Sequence, residues 1–107
     1  MPTYFGGETL KATTFFDNPN NSGGFADVYT CQTGRYAEVF IGEFDQNSGP
    51  GLLRILKTDG STVSFDLTSA SLINIRLDAG QKIQTSGDLT NPSKLNGCIA
   101  KEFAKPA

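Results

Sequence analysis

The chain has 107 residues, 37% hydrophobic and only 19% charged, with net charge −2, twelve Gly and no histidine. That length supports one domain, residues 1–107, burying roughly two-thirds of its unfolded surface in a single core. Lack of histidine excludes Ser-His-Asp and Cys-His catalysis and His-ligated zinc, iron or cupin-type metal sites. Nine Lys and Arg scattered singly from Lys11 to Lys105 argue against nucleic-acid binding.

In chain order, MPTYFGGETL lacks a basic region followed by an apolar stretch, so no signal peptide is expected and synthesis and folding are placed in a cytoplasm. No apolar run approaches the ~20 residues of a membrane span. Residues 1–16 are expected to form an extended N-terminal arm, its second half (Thr9 to Phe16) strand-like, able to add a strand to a neighbouring sheet edge. Tyr4 and Phe5 are apolar groups on that arm. Phe15 and Phe16 are neighbours in a strand and point to opposite faces, so one is exposed or covered by another chain.

NPNNSGG at 18–24 reads as a turn, followed by a strand over Phe25 to Cys31 and the turn TGR at 33–35. Tyr36 to Phe44 is apolar on both faces, with Tyr36, Phe40 and Phe44 against Ala37, Val39 and Ile41. It suits a central strand covered on both sides, or one whose outer face meets a partner. DQNSGPG at 45–51 separates it from a strand over Leu52 to Lys57, and Asp59-Gly60 is the strongest short hairpin signal.

Clean period-two alternation follows. Val63, Phe65 and Leu67 oppose Thr62, Ser64 and Asp66; Ile73, Ile75 and Leu77 oppose Asn74, Arg76 and Asp78, with a brief turn at 68–71 between the runs. DAGQ at 78–81, SGD at 86–88 and NPS at 91–93 then bound strands over Gln81 to Thr85 and Gly97 to Phe103. The fold class is all-β: an antiparallel β-sandwich or jelly roll of seven to eight short strands.

Catalytic equipment is sparse. Glu38 and Glu43 point to opposite faces of one strand, and Asp66 and Asp78 sit on solvated faces near turns, so no paired carboxylates for glycoside hydrolysis emerge. The loops at 17–24 and 45–49 carry Asp and Asn oxygens, but neither has full EF-hand spacing. Cys31 and Cys98 are expected as buried free thiols, with a single bridge open if their strands pair. No catalytic residue, cofactor or metal is therefore assigned, and the chain is expected not to be an enzyme. Tyr4, Phe5, Phe15, Phe16, Tyr36 and Phe40 are the interface candidates.

The segment VYTCQTGRYAEVFIGEF, Val28 to Phe44, resembles a signature of small bacteriophage virion structural proteins. Its features are a strand ending Tyr-Thr, a turn with Gly and a basic residue (Thr33, Gly34, Arg35), then a long strand opening Ala-x-Val (Ala37, Val39). LDAGQKIQTSG is similar to their second signature, Leu-x-x-Gly-x-x-Ile, at Leu77, Gly80 and Ile83. Gln32 stands where a Pro is common, and the resemblance covers Phe25 to Thr85. It implies a β-sandwich protomer of a virion, often a homotrimer. Such a protein would decorate (cement) a capsid by bridging major capsid subunits, or serve with tail proteins as a tail or fibre component. A carbohydrate-binding module for host attachment is the alternative, with Tyr4, Tyr29 or Tyr36 as sugar platforms.

Overall fold

A computed structural model of the protein describes residues 9–21, 24–45, 52–65, 70–86 and 93–105, and among these there are eight strands and no helix. They are β1 (Leu10–Asn21), β2 (Ala26–Thr30), β3 (Arg35–Asp45), β4 (Leu53–Leu56), β5 (Thr62–Ser64), β6 (Ala70–Leu77), β7 (Lys82–Thr85) and β8 (Ser93–Ala104). Two four-stranded sheets result, in the orders β1-β8-β3-β6 (sheet A) and β2-β7-β4-β5 (sheet B), with every pair antiparallel. Strands 1 and 8, 2 and 7, 3 and 6, and 4 and 5 pair in nested fashion. That is one long hairpin folded over itself, the jelly-roll form of the sandwich.

The alternation in the sequence decides which face each strand buries. Ala37, Val39 and Ile41 of β3, Ile75 and Leu77 of β6, and Leu95, Cys98 and Ala100 of β8 meet Leu53 and Ile83 of sheet B, all at most 3% exposed. Burying each large aliphatic side chain stabilises the fold by roughly 1.5–3 kcal/mol relative to leaving it in water. The Asp59-Gly60 hairpin forms as expected: Lys57 N donates to Ser61 O, and Asp59 Oδ1 accepts from Ser61 N and Oγ.

Phe44 departs from expectation. It does not share a face with Tyr36 and Phe40: Phe44 is fully buried and Phe40 is 47% exposed. The strand changes face at Gly42. Its register partner on β8 is Gly97, with φ +64, where inward-facing positions likewise switch from Leu95 to Cys98. A Cβ on Gly42 would stand 2.9 Å from Asn96 O and 3.0 Å from Gly97 O. On β1 the register slips between Phe16 and Asn18, and Asp17 Oδ1 accepts a 2.7 Å bond from Gly97 N. On β6 the same level holds Leu72, with φ +57. Sheet A is therefore creased along one line crossing all four strands.

Several further expectations are corrected. Residues 10–16 form the first half of β1, paired with β8 of the chain's own sheet, in place of a free arm. Residues 1–8, with Tyr4 and Phe5, lie outside the described residues. The strand runs on through 18–21, where the turn was expected to begin, and Pro19 is tolerated because β1 is an edge strand. Val63 is 41% exposed, not core, because β5 is a three-residue edge strand. Ala70 and Ser71 open β6, so only 68–69 of the turn expected there remain, outside the described residues with Asp66, Leu67 and most of the loop at 45–51.

Leu72 carries a testable strain. An L-residue in the left-handed region costs roughly 1–2 kcal/mol, yet this side chain is 75% exposed and gives little packing in return. Leu72→Asn, which tolerates that conformation, is expected to stabilise the protein by about 1 kcal/mol, raising Tm by about 4 °C. Leu72→Val should lower Tm, because β-branching makes the same backbone worse. Thermal denaturation of the two variants checks the opposite signs.

Candidate interaction surface

The two outer faces of the sandwich differ in chemistry. On sheet B, Gln84 Nε2 donates to Asp27 Oδ1 at 2.8 Å, Arg54 Nε donates to Gln84 Oε1 at 2.9 Å, and Lys82 Nζ lies 2.9 Å from Asp27 Oδ2. The Arg54 guanidinium rests 3.5 Å above the Phe25 ring. Hydrogen bonds from Gln84, then from Lys82, hold the Asp27 carboxyl below its ordinary pKa. This row satisfies its own polar groups across three strands.

A second polar cluster ties the two sheets together. Glu102, 6% exposed, accepts from Tyr29 OH through one carboxylate oxygen and from Arg35 Nη1, at 3.2 Å, through the other. Phe16 stacks on Tyr29 with ring centroids 5.2 Å apart. Burial, then the bond to Glu102, raises the Tyr29 phenol far above its ordinary pKa, so it stays protonated. Carboxylate, guanidinium and phenol engage one another. Neither Tyr29 nor Tyr36 offers a free ring to a sugar: Tyr36 is 7% exposed, stacked on Phe103 at 5.2 Å and covered by Arg76 at 4.3 Å.

Cys31 and Cys98 are free and buried, as expected from the sequence. Burial pushes both thiols up to about 11. A raised acid pKa stabilises the fold fully below the unfolded thiol value, near 8.5, and that contribution is lost as pH rises through about 11. Both thiols should resist iodoacetamide in the native protein at pH 8 and label at once in denaturant. Fast native labelling of either would overturn their placement.

The outer face of sheet A is the unbalanced surface. Register places Phe15, Ile99, Phe40 and Asn74 in one row across β1, β8, β3 and β6. Phe15 is 74% exposed and Phe40 47%, with half-buried Ile99 between them and Leu72, 75% exposed, beside the row at the crease. The next row is Thr13, Lys101, Glu38 and Arg76, and beyond it lies the Phe103–Tyr36 stack. Between these rows is a shallow recess of about 220 Å³ lined by Glu38, Phe40, Asn74, Ile99 and Lys101. Among the described residues no group of three His, Cys, Asp or Glu side chains could hold a metal.

Of the sequence-derived interface candidates, Phe15 and Phe40 fall in this row, Tyr36 lies on the same face but is covered, and Phe16 points inward. Sequence reasoning missed Ile99 and Leu72. No local signal marked them: each faces solvent because the adjacent residues, Cys98 and Ala100 or Ile73, turn to the core, a facing that the structure supplies.

The sheet edges are poorly suited to strand addition. β1 carries Pro19 and register slips, β6 has the left-handed Leu72, β5 has three residues, and β2 is short with a slip between Asp27 and Tyr29. Such features blunt edge pairing and leave a face as the means of contact. No protein-family model, curated protein or solved structure matches the chain.

Proposed function

We propose that the protein is a non-enzymatic structural module that works by adhesion through the outer face of sheet A. The assembly it serves, on this reading, is a bacteriophage virion, where it decorates and cements the capsid. One observation carries the adhesive part: the apolar groups of Phe15, Ile99 and Phe40 in one row, with Leu72 beside it, stay open on one face while the opposite face satisfies its own polar groups. Contiguous exposed apolar surface of this kind marks a site of association. The virion part draws its support from the resemblance of Val28 to Phe44 and Leu77 to Ile83, together with a jelly-roll topology of the type that recurs in viral capsids. Its mechanism is mechanical, adding buried apolar area between subunits of a shell under internal pressure.

The test is direct. Particles banded in a density gradient from the source of the gene should contain the chain in stoichiometric amount, and Phe15→Ser with Phe40→Ser should remove it from them while leaving the fold intact. Particles without the chain overturn the virion reading; full attachment of the double variant overturns the adhesive face. The recess beside Phe40, with Glu38, Asn74 and Lys101 around an aromatic ring, favours glycan binding for host attachment as a second reading. A glycan array probed with the wild-type chain separates the two.

A further inference from the structure

The rows on the outer face of sheet A are complementary to themselves. We propose that a second copy of this chain covers that face, in an isologous dimer whose two-fold axis runs parallel to the strands, between β8 and β3. The inference rests on the reading of this face as adhesive and names its occupant. Such an axis keeps every residue at its own level along the strands while exchanging β8 with β3 and β1 with β6.

The consequences follow from register. Lys101 and Glu38 are cross-strand neighbours on β8 and β3, so the rotation sets Lys101 against the partner's Glu38 and Glu38 against the partner's Lys101. Ile99 and Phe40 are likewise neighbours, so each meets the other type across the interface, while Tyr36 stays stacked on Phe103 beneath Arg76 within its own chain. At the flanks Phe15 of β1 meets the partner's Asn74, and Thr13 the partner's Arg76. Glu38 and Lys101 each gain an opposite charge and Ile99 and Phe40 each an apolar partner, while Glu43 meets the partner's Asn96. Both Glu38 and Lys101 are exposed, and neither belongs to an ion pair between described residues.

Geometry and area agree with this. Aligned sheets pack about 10 Å apart within about 30° of parallel, so the correspondence is tightest near the axis, at β8 and β3. Four strands at ~4.8 Å spacing and ~30 Å length present ~600 Å² per copy, or ~1,200 Å² for the pair, the lower bound of stable interfaces. A net charge of only −2 per chain opposes pairing weakly. A trimer, by contrast, does not bring Glu38 and Lys101 together reciprocally.

Sedimentation of the full chain across a concentration series reaching the high-micromolar range tests the arrangement. The expected species has twice the chain mass of 11.4 kDa. Glu38→Lys and Lys101→Glu each place two like charges across the axis and should weaken self-association roughly tenfold or more. Mixing these two variants restores both opposite-charge contacts, so the mixture should dimerise like the wild type. The in-chain neighbours of each variant are unchanged by mixing, so a purely intramolecular defect is not rescued. If either charge variant fails to fold, Phe40→Ser, on a half-exposed side chain, should yield a folded monomer. A wild-type monomer or trimer, or a mixture that stays monomeric, overturns the proposal. A dimer that is absent from particles leaves the proposal standing and defeats the virion reading; a monomer found on particles does the reverse.

Discussion

Arg35→Ala is expected to destabilise the protein by about 3 kcal/mol, because it leaves the Glu102 carboxylate buried with Tyr29 as its remaining described partner. The Arg35 side chain is 26% exposed, so water reaches part of the site and holds the loss to the lower end of the range for a broken buried pair. Tyr29→Phe removes one hydrogen bond to a charged acceptor and should cost about 1.5 kcal/mol. Replacing the whole cluster, with Tyr29→Phe, Arg35→Met and Glu102→Leu, should recover most of the Arg35→Ala loss, since no polar group is then left buried without a partner. Urea midpoints of the three proteins at neutral pH measure this order. A triple variant less stable than Arg35→Ala would show that the cluster acts through shape and not charge.

That cluster also marks a limit of what the sequence conveys. Arg35 and Glu102 are 67 positions apart, and Tyr29 and Glu102 are 73 apart, so no local pattern announces their meeting. Periodicity announced the strands over 61–67 and 72–78, because alternation of Ile73, Ile75 and Leu77 with Asn74 and Arg76 is imposed by the pleat itself, and turn signals bounded the others. It failed for Phe44, since a two-residue period extrapolated from Tyr36 and Phe40 assumes an unbroken strand. Pro19 misled in the opposite direction: a turn signal that an edge strand can absorb.

The surface was half legible for the same reason. Phe15 beside Phe16 guaranteed an outward-facing aromatic whichever way the strand rolled. Ile99 and Leu72 become surface residues only once the facing of β8 and β6 is known, and both strands cross the crease. Which residues share a row depends on antiparallel register, and register joins Phe15 to Ile99 over 84 positions of chain. No short-range feature carries that information.

Gly42 is where the face assignment of sheet A is most exposed to a single atom, and Gly42→Ala is expected to cost about 3 kcal/mol, the upper end for overpacking. The added methyl would stand 2.9 and 3.0 Å from two backbone carbonyl oxygens, those of Asn96 and Gly97, and neither can rotate aside as a side chain could. β3 must move from β8, or the crease must straighten. Straightening shifts every following side chain to the other face, which would expel Phe44 from the core. Gly97→Ala poses a different problem at the same level of the sheet. Its Cβ meets only the Gly42 Cα at 3.9 Å, so space exists and the loss is the left-handed backbone alone, about 1–2 kcal/mol. Gly97→Asn should lose less again, because Asn tolerates that conformation. Denaturation midpoints should therefore fall in the order Gly97→Asn, Gly97→Ala, Gly42→Ala, with near-ultraviolet spectra of the last reporting a changed Phe and Tyr environment. Equal losses for the two Ala variants would mean that the strands part easily at this point. The crease would then follow from the positive φ of Gly97 and Leu72, and not from the close approach at Gly42.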